Sequence, residues 1–149
     1  MAFSPIDALL DAFARNQRVN LYLIENLPDE AWRVKAPGGK GRDAASMMGH
    51  MHNVRVMWLK EGNKLEGDFT KADAAAALEE SYRALVPVLD AALRADGRIK
   101  GFKPDVASFI GYLIAHDAHH RGQAAMLARQ VGHPLPQKAM FGMWEWGVR

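Results

Sequence analysis

His116 and His120 stand four residues apart in the segment His116-Asp117-Ala118-His119-His120-Arg121-Gly122-Gln123, within a strongly helical pattern. On an α-helix, side chains at i and i+4 lie on one face about one turn apart, so two imidazoles there can reach one metal ion. Two such ligands make half a site. A third histidine from another helix would give three neutral nitrogens plus open positions, which distinguishes a catalytic centre from a closed structural one. The donor expected from the sequence is Gly49-His50-Met51-His52-Asn53. A two-residue step along a helix turns the side chain by about 200°, so His50 and His52 cannot both face the site. His50 shares an apolar stripe with Met47, Val54 and Trp58, whereas His52 falls with Arg55 and Gly49 on a less apolar face. His50 is therefore the expected third ligand.

The neighbouring residues are read more plainly. His119 points about 100° away from His120 and is assigned a core or supporting place rather than ligation. Asp117 is expected to pair locally with Arg121 at i+4, and Arg121 and Gln123 to lie on a solvated helix face. Gly122 within a helix is unfavourable by about 1 kcal/mol relative to Ala, which predicts a close neighbour there. His133, before a proline, is expected to be exposed. The eight methionines read as core packing, with Met140 and Met143 covering a pocket. Other chemistries find no support, for there is no Walker-type loop, no Gly-x-Ser-x-Gly elbow and no Glu-x-x-His pair on two helices. Cysteine is absent, so any thiol must come from outside the chain.

Four helices must position these residues. Ser4-Pro5-Ile6-Asp7 reads as a cap and first turn, opening a helix that carries Ile6, Leu9, Leu10, Phe13 and Leu21 and ends before Pro28. A long loop over 28–42 includes Ala36-Pro37-Gly38-Gly39-Lys40-Gly41 and suits a crossover. The second helix starts between Asp43 and Ser46 and is stopped by Gly62. Thr70-Lys71-Ala72-Asp73 resembles a capping box for an alanine-rich third helix reaching about Arg94, with a kink or restart expected at Pro87. The fourth starts near Pro104 or Asp105 and reaches Val131, with Gly132 as its stop. Beyond it, Trp144 and Trp146 are expected to be buried, by packing of the tail on the bundle or on a partner subunit. The fold class is thus all-α, a four-helix bundle with a C-terminal tail packed on it.

With 149 residues, one domain spanning 1–149 around a single core is expected. A net charge of +2, with 24% charged residues and no basic stripe, argues against nucleic acid. No apolar run approaches the roughly 18 residues of a membrane span, and the start lacks a secretion signal, so no membrane partner and a cytoplasmic location are expected.

Taken together, Gly49-His50-Met51-His52-Asn53-Val54-Arg55, the segment from His116 to Gln123, and Phe141-Gly142-Met143-Trp144-Glu145-Trp146 resemble the DinB-like superfamily. These small bacterial helix bundles include YfiT-like metal-dependent hydrolases and bacterial thiol S-transferases. The resemblance implies a four-helix bundle, commonly a homodimer, with a divalent metal such as zinc or nickel held by His50, His116 and His120 as the catalytic centre. It implies a small-molecule substrate, and a thiol S-transferase in stress response or detoxification is the leading expectation, with an exogenous low-molecular-weight thiol as co-substrate. The alternatives are a metal-dependent hydrolase of a small amide or ester, or a non-catalytic, metal-stabilised dimeric binding module. In the transferase reading the electrophile enters over an apolar wall near Met47, Met51 and Trp58. The alanine-rich third helix and the Trp-containing tail are the candidate dimer faces.

Overall fold

A computed structural model describes residues 2–149, and its long elements are four helices. Helix α1 spans Pro5–Asn26, capped by Ser4, whose Oγ accepts the Asp7 N–H at 3.3 Å, with Pro5 in the first turn where no backbone donor is needed. A single 3₁₀ turn, Asp29–Ala31, begins the long connection to α2, Ala44–Leu59. Asp43 caps α2 by accepting the Ser46 N–H at 2.7 Å. The helix stops at Lys60, which takes a left-handed φ of 55°, two residues before Gly62, where the sequence put the stop. Helix α3, Lys71–Arg94, opens on the Thr70/Asp73 capping box and continues through Pro87, so of the kink or restart expected there the restart does not occur. Helix α4, Val106–Gln130, is capped by Asp105, and the left-handed Gly132, φ 83°, ends it. No strand forms among the described residues.

Helices α3 and α4 each pack against both α1 and α2, which places α1 and α2 diagonally across the bundle. The long 27–43 connection is what such a diagonal crossing requires. Trp32 anchors it at the bundle end, its Nε1 donating to the Phe69 carbonyl at 3.2 Å and its ring meeting Phe69 edge-on.

The apolar interior comes in two layers. One holds Leu23, Leu27, Met48, Met51, Leu78 and Leu127. The other holds Phe13, Leu85, Leu89, Phe109, Ile110 and Leu113. Between them along the helices lie the buried polar residues Asn16, Gln17, Asn20, Arg55, Ser81, Asp117 and Arg121. Arg55, which the sequence pattern put on a less apolar face, is 1% exposed.

The tail adds a short helix α5, Gln137–Gly142, and packs on the bundle as expected, though not through Trp144. Leu135 and Ala139 are its buried anchors, and burying the leucine contributes roughly 1.5–3 kcal/mol. Further along, the Arg149 guanidinium lies 3.7 Å over the Tyr22 ring, and the Arg149 carbonyl accepts from Arg15 and Arg18 at 3.0 Å each. Trp144 is 81% exposed, so the bundle does not supply the burial expected for it, whereas Trp146 is half-buried.

Candidate metal centre

His116 and His120 project from one face of α4, and His50 projects from α2 opposite them. The Nε2 atoms of His50 and His116 are 3.2 Å apart, as are those of His116 and His120. All three donor nitrogens lie within 4.8 Å of one another. A zinc ion bound to nitrogen at about 2.0–2.1 Å in tetrahedral geometry holds its ligand nitrogens about 3.3 Å apart, which the two 3.2 Å separations match, so the cluster suits one such ion.

The protonation of the cluster leads to the same fit. His120 Nδ1–H donates to Gln123 Oε1 at 2.8 Å, which leaves its Nε2 with a lone pair. His116 Nε2 has at most one proton to share between two nitrogen neighbours, so one of the two short N···N contacts has no hydrogen bond in a neutral cluster. Protonation is not the remedy. Burial, then the charge of Arg42 and the neighbouring histidines, lowers the His50 pKa to about 4. Burial also lowers those of His116 and His120, against the opposing pull of Asp117 on the first and of the Gln123 hydrogen bond on the second. Three neutral imidazoles with converging lone pairs are a ligand set, and they leave a bound divalent ion its full charge.

The surroundings of the cluster differ from the sequence reading in several places. Helix α2 turns His52 away from the cluster, where it is buried and its Nε2–H donates to the Asn63 carbonyl at 2.7 Å. His119 is exposed and meets only the edge of His120, so it supports that ring from outside rather than from the core. Asp117 does not pair with Arg121. Its Oδ2 accepts from Asn16 at 2.7 Å, Arg55 at 2.8 Å and Asn20 at 2.9 Å, because α1 and α2 present stronger partners than its own helix can. Arg121 is 8% exposed rather than solvated, with its Nη1 donating to Asn16 and Asn20. Gly122 is exposed, and a Cβ there would meet nothing within 4 Å, so the predicted close neighbour is absent. His133 is exposed as expected.

Sequence reasoning missed Gln123 as the residue that fixes the His120 ring, although its position three after His120 on a helix was a usable signal. It also missed Tyr112, one turn before His116 and stacked on it with centroids 6.2 Å apart. The expected apolar wall is not there. Met47 and Met51 are buried in the core, and Trp58 packs against Phe102, Phe109 and Tyr112. What opens beside His50 is a polar notch of about 380 Å³ lined by Arg42, Ser46, Asn53, Lys64 and Glu66. Its outer wall is fixed to α2 by Asn53, whose side chain accepts the Leu65 N–H at 2.7 Å and donates to the Leu65 carbonyl at 3.0 Å.

Two comparisons bear on identity. The family model described as DinB superfamily matches residues 12–124, a span that contains all three clustered histidines. A comparison with curated proteins returned no match.

Proposed function

The chain belongs to the DinB superfamily, and from that premise we propose that it is a metal-dependent thiol S-transferase that joins a low-molecular-weight thiol to a small electrophile. The observation that carries this reading is the convergence of three neutral imidazole nitrogens beside an open polar notch. A zinc or nickel ion held by His50, His116 and His120 would lower the pKa of a bound thiol or water toward neutrality. The rest falls to the chain. Gln123 holds the His120 ring so that its Nε2 lone pair faces the cluster. Arg42 and Lys64 in the notch offer cationic partners to a thiol that carries carboxylates. In the overall reaction the thiol loses its proton, sulfur forms a bond to the electrophilic carbon, and the leaving group departs with the electrons of the bond it breaks.

A second reading, a metal-dependent hydrolase of a small amide or ester, is favoured by Glu66, whose carboxylate lines the same notch and suits a general base. Elemental analysis of dialysed protein tests the centre first. About one zinc or nickel per chain in wild type and His52→Ala, lost in His50→Ala, is the expected result. Conjugation of chlorodinitrobenzene with glutathione, bacillithiol or mycothiol then tests the reaction. Turnover of esters without thiol would replace the transferase by the hydrolase, and bound metal with no turnover would leave a metal-stabilised binding module.

A further inference from the structure

Helix α4 and the C-terminal tail enclose a groove of about 910 Å³, none of whose lining residues belongs to the histidine cluster. Its size is that of a small-molecule site. Ile114, Ala118, Ala125, Leu135 and Met140 supply an apolar lining, and among the described residues the only charged ones that line it are Arg121 and Arg129. At its rim, Met126, Met140 and Trp144 are exposed by 46%, 38% and 81%, a concentration of apolar surface that soluble chains seldom leave uncovered.

Arg121 makes this groove more than an apolar face. The side chain is 8% exposed, and among the described residues its hydrogen bonds all leave from Nη1, so Nε and Nη2 have no partner. The polar layer behind it buries two guanidinium groups, Arg55 and Arg121, against the single buried carboxylate of Asp117, which is bonded to Arg55. Glu79 reaches that layer only from its edge, through Gln17 at 3.3 Å. A buried cation without its own counter-ion is unfavourable, and an anion in the groove would relieve it.

We propose that the groove binds an amphipathic carboxylate, with its head against Arg121 and its acyl chain along Ala118, Ala125 and Met140. A second copy of this chain is a poorer occupant. A two-fold contact through this face would set basic surface against basic surface with no carboxylate from the lining to meet it.

The test uses the full chain and sodium laurate below its micelle concentration, followed by calorimetry and by the emission of Trp144 and Trp146, which line the groove. Dodecyltrimethylammonium and dodecanol serve as head-group controls. One laurate per chain is expected, bound at least about tenfold more tightly than the ammonium analogue. Arg121→Gln should remove that preference while leaving dodecanol unchanged, and Ala118→Phe, built on an exposed position, should block all three while zinc content stays as in wild type. Should Arg121→Gln fail to fold, the head-group series on wild type still decides. Equal affinity for the two charged head groups, or laurate binding that survives Ala118→Phe, overturns the proposal. So does a sedimenting dimer that Ala118→Phe dissociates and that takes up no laurate, which would assign the groove to a second copy.

Discussion

Replacing Asp117 by Asn removes one charge from the bundle interior and almost no volume. In the native protein the carboxylate lies 2.8 Å from the Arg55 guanidinium, with side chains 2% and 1% exposed. At that distance, with an effective dielectric of about 20, the attraction is roughly 6 kcal/mol, and breaking buried pairs by removing one partner typically destabilises by about 3–5 kcal/mol. The variant keeps an acceptor oxygen for the three donors that converge on Oδ2, so the loss reports charge rather than geometry. Asp117→Leu loses that acceptor too, adding about 1–3 kcal/mol for each donor left unsatisfied. Against a total stability of about 5–15 kcal/mol, the Asn variant should remain folded and the Leu variant should not. Far-ultraviolet circular dichroism at pH 7 shows whether each variant folds, and urea unfolding measures the loss in the Asn variant. Arg55→Met in the Asp117→Asn background should recover part of the loss, since it removes the stranded cation. A loss below about 1 kcal/mol for Asp117→Asn, or no recovery in the double variant, would refute the view that this pair neutralises the interior.

Gln123→Ala should weaken zinc binding by about 10–100-fold, as loss of a partner that orients a ligand does, while the metal-free stability moves by less than about 0.5 kcal/mol. Competition with a chromophoric chelator reads the first and urea unfolding the second. In metal-free protein the folded pKa values of His50, His116 and His120 all lie below 6.5, so the unfolded chain takes up protons first on acidification. Stability should be full above pH 6.5 and fall as the pH drops toward about 4, where His50 protonates. A urea midpoint unchanged between pH 7.5 and pH 5, with chelator present, would contradict this. Gly49→Ala places a Cβ 3.0 Å from the Leu65 carbonyl oxygen and 3.1 Å from Phe69 Cζ, and should lower stability by about 1–3 kcal/mol. Gly122→Ala, at an open helical position, should raise it by about 0.8–1.0 kcal/mol, and thermal unfolding of the two variants side by side distinguishes them.

The helices were legible because their ends are written in local chemistry. Ser4, Asp43, Thr70 and Asp105 each accept a backbone N–H three residues on, a contact that needs nothing beyond four consecutive residues. The pairing of His116 with His120 is equally local. Choosing His50 over His52 took one step more, and the apolar stripe selected the histidine that the structure brings to His116, even though His52 is the more buried of the two. The polar interior was not legible. The sequence put Arg55 on a less apolar face, paired Asp117 locally with Arg121, set Arg121 on a solvated face and gave no signal at Asn16, and only the docking of α1, α2 and α4 makes the four one another's solvent. Trp144 is a different case, since a bulky apolar residue signals a need for cover without saying what supplies it, and the bundle leaves this one 81% exposed.

The polar layer between the two apolar ones has a further effect on how the helices are aligned lengthwise. Leucine, methionine and phenylalanine make similar contacts after a helix slides one turn, about 5.4 Å, along its neighbour. A charged pair does not, because the same displacement would strand Asp117 and Arg55 among hydrocarbon. Like a buried asparagine in a coiled coil, the layer therefore fixes axial register. It thereby holds His50 on α2 level with His116 and His120 on α4, at a height that the greasy layers alone would leave free to drift.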